Sequence, residues 1–147
     1  MRRIRELWPA GSFSCVISNP HYFPERSGKV SARHSTARSE ATLPLTDLCA
    51  AATYLLPHGG RFALVHRPER LCDLFCTLRS SGLEPKRLQF VRHTAASPVS
   101  LVLIESRRGG RPGLRYEPDF IEFTPDGAET DDYRAAYGRK EPSCPER

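Results

Sequence analysis

Asn19-Pro20-His21-Tyr22 follows directly on a short apolar run at residues 13–18, and that order of residue types suits one kind of chemistry. An amino group conjugated to a ring, such as N6 of adenine, has a delocalised lone pair and is a poor nucleophile. The side-chain oxygen of Asn19 and the main-chain carbonyl of Pro20 can each accept one of its N–H bonds. Held that way, the nitrogen is drawn toward a tetrahedral shape with its lone pair aimed at an electrophile. Proline fixes φ, so the two acceptors stay positioned. Tyr22 adds a flat face on which an extruded base can stack, and Phe23 lies beside it. The competing reading is an ordinary Asn-Pro turn after a strand.

The elements that must position these residues can be read from periodicity. Residues 13–18, with Val16 and Ile17, form a short apolar segment consistent with a buried parallel strand. Residues 24–42 are polar, basic and poor in large apolar groups, which predicts a long functional loop. Leu45, Leu48, Cys49, Ala52, Leu55 and Leu56 follow the spacing of one helix face, with Thr46 as N-cap and Pro57, Gly59 and Gly60 as the stop. The segment "RFALVH" reads as a second strand, and Pro68 opens another helix, whose apolar face is Leu71, Leu74, Phe75 and Leu78. Strands at 86–91 and 100–106 follow, then a short extension at 120–123 and a turn near Tyr133 to Tyr137. Alternating strands and helices predict an α/β sheet with parallel strands. The last two strands have no helix between them and should pair antiparallel at one edge.

Composition narrows the classes. The chain has 147 residues, 39% hydrophobic and 27% charged, enough for one domain. No apolar run reaches the roughly 20 residues of a membrane helix, and no secretory signal pattern is present, so a cytoplasmic protein is expected. Five cysteines without a CxxC pair or matched histidines predict reduced, structural thiols and no metal site. Four of them, Cys15, Cys49, Cys72 and Cys76, lie in apolar segments and are expected to be buried. A net charge of +5, mostly from arginine, is compatible with an anionic partner such as RNA and equally with ordinary solubility.

Beyond these residue patterns, "SNPHYF" resembles the Asn-Pro-Pro-Tyr motif of class I S-adenosylmethionine-dependent methyltransferases that modify exocyclic or amide nitrogens. The similarity extends through "SGKVS", "ARSE", "HGGRFALVHRPERL", "LEPKRLQFV", "LVLIE" and "GGRPGL". Together these resemble the bacterial tRNA-Val adenine-37 N6-methyltransferase family over residues 11–137. The resemblance implies a Rossmann-like fold, S-adenosyl-L-methionine as cofactor and tRNA as partner. Asn19 and Pro20 would hold the amine and Tyr22 would stack on the base. His21 replaces the second proline, and Ser100 stands where the family usually has Asn.

Such enzymes hold the cofactor with a Gly-rich turn and an acidic residue, both before the Asn-Pro motif. Only 18 residues precede Asn19 here, with Gly11 the sole glycine, so Asn19 is the residue nearest to any cofactor. Residues 1–137 are therefore expected to be the C-terminal half of the fold, either completed by a separate N-terminal half or a homodimer or else a truncated gene product or fragment, with 138–147 a disordered tail. The strand at 13–18 should lack a neighbour and leave an open edge. His66, Arg67 and Arg70 in "VHRPERL" should share the rim with Asn19 and could grip phosphate, or else simply start a helix. Arg38 and Glu40 could order the loop over the base. Arg107, Arg108, Arg111 and Arg115 read as a solvated basic tail, and His34, His58 and His93 as surface or turn residues. Two alternatives stay open: an inactive remnant that at most binds RNA, and a relative acting on a protein glutamine or DNA adenine.

Overall fold

The computed structural model describes residues 2–20 and 44–138. The loop read at 24–42 lies outside them, as does the tail beyond Gly138. The element order is α1 (Arg2–Leu7), β1 (Cys15–Ser18), α2 (Leu45–Leu55), β2 (Arg61–His66), a 3-10 turn (Pro68–Arg70), α3 (Leu71–Ser80), β3 (Leu83–Arg92), β4 (Val99–Arg108), β5 (Arg115–Tyr116), β6 (Phe120–Ile121) and α4 (Asp131–Ala136).

These strands form one mixed sheet in the order β1-β2-β4-β3-β5, with β6 also on β3. β1 runs parallel to β2, with Ser18 opposite Leu64. β3 and β4 form the expected antiparallel pair, with Leu88 opposite Ile104. That pair does lie toward one side, but β4 is the inner member, inserted between β2 and β3. The crossover through α3 leaves a gap one strand wide. β4 fits it because both its faces are apolar at mid-strand: Val102 and Ile104 on one, Leu101 and Leu103 on the other.

The core lies on a single face. Cys49, Ala52 and Leu56 from the α2 region and Leu74 and Leu78 from α3 pack over Phe62, Leu64, Leu88, Val102 and Ile104. On the opposite face Ile17, Ala63, Val65 and Leu103 line a shallow depression of about 220 Å³, bordered by Arg87, Glu105 and Glu117. Ile17 is 76% exposed there. β1 has a strand partner on only one side among the described residues.

Three local expectations need correction. α2 begins at Leu45 behind Pro44, with no side-chain cap, so Thr46 sits inside the first turn. Pro44 already has the extended backbone of a flanking residue, and its carbonyl accepts from Leu48 N–H at 3.0 Å. Cys72 and Cys76 are exposed, not buried. They lie two residues from Leu74 and Leu78, about 200° around the helix, on its outer side. Arg107 and Arg108 are no tail: they end β4, where Arg108 donates to the Leu56 carbonyl and Arg107 to the Gly59 carbonyl at 3.1 Å.

Candidate active site at the carboxyl rim

β4 is antiparallel to both β2 and β3, so β1, β2 and β3 all point the same way. Their carboxyl ends, Ser18, His66 and Arg92, share one rim, where open α/β sheets bind ligands. Asn19 is the first residue past β1. Continued by one step, the parallel register sets Asn19 level with Val65, and by two steps Pro20 level with His66. Asn19 is exposed and Pro20 is half-buried. His21, Tyr22, Phe23 and Arg38 lie outside the described residues.

The "VHRPERL" segment ends β2 on this rim and starts a helix. Pro68 opens a 3-10 turn that leads into α3, and Arg67 precedes it in extended conformation. His66 is only 3% exposed, because the β2 alternation that buries Phe62 and Leu64 continues to it. Its Nδ1 accepts from the Arg67 backbone N–H at 2.8 Å. The same nitrogen lies 3.2 Å from the Arg67 carbonyl, to which it donates in the other tautomer. Burial pushes the imidazole below its ordinary value, which favours the neutral ring. Arg67 and Arg70 are exposed, and Arg70 pairs with Asp73 at 2.6 Å. Ser100 donates to the Val91 carbonyl at 3.0 Å, closing the β3–β4 hairpin.

A cradle for the cofactor needs close backbone approach at this same rim. Five of the nine described glycines instead gather at the opposite one: Gly11 before β1, Gly59 and Gly60 before β2, Gly82 before β3, Gly109 after β4. They are tied together there, Gly59 N–H to the Arg108 carbonyl at 2.8 Å and Gly109 N–H to the Gly82 carbonyl at 2.9 Å. Gly109 has φ +64°, and a Cβ on it would run into the His58 ring. Among the described residues no glycine stands directly after β1, β2 or β3, so these do not supply the Gly-rich turn expected to hold an adenosyl cofactor. Nor do they include a group of three or more His, Cys, Asp or Glu placed to hold a metal ion.

Sequence reading also missed what lies outside β3. Residues 116–138 hold seven carboxylates against one arginine, and this acidic stretch straps the basic edge of β3. Glu117 pairs with Arg87 at 2.8 Å and with Arg115 at 3.0 Å, and Asp119 pairs with Arg92 at 2.6 Å. The run of acids was the available signal.

No family-wide sequence profile matches the chain. Curated relatives do. It is 34% identical over 95 residues to a tRNA1(Val) (adenine(37)-N6)-methyltransferase of Porphyromonas gingivalis, covering 65% of this chain and 37% of that one. It is 33% identical over 98 residues to the protein of that name from Dickeya chrysanthemi, covering 67% and 39%. This chain is a homologue of the C-terminal part of those methyltransferases. It spans about two fifths of their length. Among solved structures, a predicted O-methyltransferase from Agrobacterium tumefaciens superposes with a TM-score of 0.67 at 18% identity, over 92% of this chain and 57% of that one. That likeness shows a Rossmann-like class I fold. Among the described residues no helix is long and apolar enough to cross a membrane.

Proposed function

We propose that residues 1–137 form the C-terminal, substrate-recognising half of a cytoplasmic S-adenosylmethionine-dependent methyltransferase acting on N6 of adenine in a tRNA. One placement carries the reading: Asn19-Pro20 stands at the carboxyl rim directly after β1, in a chain whose relatives are named for adenine N6 methylation. The Asn19 side-chain oxygen and the Pro20 carbonyl accept the two N–H bonds of the target amine. Together they turn its lone pair outward and take up the positive charge that grows on nitrogen during transfer. Tyr22, with His21 and Phe23 around it, stacks on the base. Arg38, Arg67 and Arg70 bind phosphates, and His66 supports the rim from beneath.

S-adenosylmethionine supplies the methyl group when bound. Its holder is a complementary half of the fold seated against β1, whether in another polypeptide or in a further stretch of the same one. A second reading, a non-catalytic RNA-binding remnant, draws support from the glycines' position at the far rim.

Titrating the 147-residue chain with S-adenosylmethionine in a calorimeter tests the half-enzyme reading: no heat of binding is expected, and saturable binding overturns it. Transfer of labelled methyl to tRNA in the presence of the complementary half separates the two readings. Asn19→Ala should then lower transfer at least about 100-fold, as losing one preorganised hydrogen-bonding group does elsewhere, while RNA affinity is kept. Full transfer by the Asn19→Ala variant overturns the catalytic assignment.

A further inference from the structure

We infer that the ring cluster built by the end of β3, β6 and α4 is a stacking platform for unpaired nucleobases that flank the target base. The inference rests on the RNA reading above.

The rings form a continuous row. His93 lies 4.7 Å from Phe123, Phe123 5.2 Å from Tyr133, and Tyr133 4.7 Å from Tyr137, with Phe120 packed beneath at 6.4 Å from Tyr133. The row is rigidly mounted. Glu122 and Phe123 N–H groups bond to the Arg92 and His93 carbonyls at 3.0 and 2.8 Å, which prolongs the β6–β3 ladder. Thr130 accepts from Tyr133 N–H at 3.2 Å and donates to the Ile121 carbonyl at 2.6 Å, so α4 is pinned to β6.

The middle of the row has a structural reason to exist, since Phe120, Phe123 and Tyr133 are half-buried and anchor α4. Its two ends are the more open part, with His93 Nδ1 lying 3.4 Å from a Glu122 carboxylate oxygen. The His93 side chain is 65% exposed and Tyr137 is 64% exposed. Large flat rings open to water beside apolar rings suit the faces of single-stranded bases.

Position and charge specify the ligand further. The cluster stands at the carboxyl end of β3, on the rim that holds Asn19, and three strand spacings separate β3 from β1, about 14 Å. A few nucleotides of single strand bridge that span. The surrounding acids, including Glu122, Asp126 and Asp132, turn phosphates away. Contact is therefore through base faces, while Arg67 and Arg70 carry the backbone. Such a site tolerates any base and contributes little to salt dependence.

The test is binding of a fluorescein-labelled RNA hairpin with an unpaired loop, followed by anisotropy across a salt series. Tyr137→Ala and His93→Ala should each weaken binding about 5- to 100-fold without changing the slope of affinity against salt. Arg67→Gln should make that slope shallower. Tyr137→Phe keeps the ring and should retain affinity, and His93→Ala removes a ring without altering the helix, so fraying of α4 cannot imitate the effect. Wild-type affinity in both alanine variants overturns the platform and leaves the proposed function standing. Failure of the unaltered chain to bind any RNA overturns both.

Discussion

His66 links burial at the rim to pH. Its ring sits in the sheet's helix-covered side with Nδ1 engaged by the Arg67 N–H, and burial lowers its affinity for a proton. The unfolded chain, whose histidine titrates near 6.5, then takes up that proton first. The stability this site contributes is complete above about pH 6.5 and drains as pH falls toward the lower, folded value. Urea unfolding at about pH 7.5 and about pH 5.5 should show a larger loss for the native chain than for His66→Gln. Equal losses would remove His66 from the account. The contrast with Asn19-Pro20 shows what a sequence displays. Two adjacent residues after an apolar run are legible because their chemistry is local. The burial of His66 depends on the phase of β2 against two helices, which "VHRPERL" alone does not reveal.

At the scale of elements, the strap formed by β5 and β6 is held chiefly by charge. The Arg87 hydrogen bond holds the Glu117 carboxyl below its usual range, and the Tyr116 and Arg92 hydrogen bonds do the same for Asp119. Carboxylates with lowered values stabilise the fold above the ordinary carboxylate range, and that contribution is lost as pH falls through their folded values. In mild acid the strap should loosen before the core. Hydrogen exchange would show it as faster exchange at Glu117 N–H, which bonds the Leu88 carbonyl at 2.8 Å, while Val102 stays protected. Loss of protection at both together would mean that the strap and core unfold as one unit. Thr130→Ala should cost about 1 kcal/mol of stability and free α4 from β6, which circular dichroism and thermal melting can follow. Of this the sequence showed the extension at 120–123 and the turn near Tyr133, but not the pairing of the strap with β3. Strands of two residues have no period to detect, and their partner in β3 lies almost 30 residues away. α2, α3 and β2 were legible because their apolar faces repeat at 3.6 or 2.

For the molecule as a whole, a covered face and a bare one set the behaviour in solution. Ile17, 76% exposed on the face away from the helices, and the β1 edge that has no strand partner among the described residues should make the isolated chain associate as its concentration rises. Sedimentation of Ile17→Lys should show less association than the native chain, and an unchanged profile would locate the contact elsewhere. Strand direction was readable. The insertion of β4 was not, because apolar strands carry no mark of which gap they fill. That insertion has a kinetic consequence. β2 and β3 never touch, so the sheet cannot be completed in the order in which the chain is synthesised. The nucleus should be the β3–β4 hairpin, closed by residues 93–98, with β2 and then β1 added from the side. Leu88→Ala should accordingly slow folding, and Val16→Ala should mainly speed unfolding. Until Val99–Arg108 has left the ribosome, β2 waits with one side bare, a window in which a nascent chain is open to chaperones and to its own neighbours.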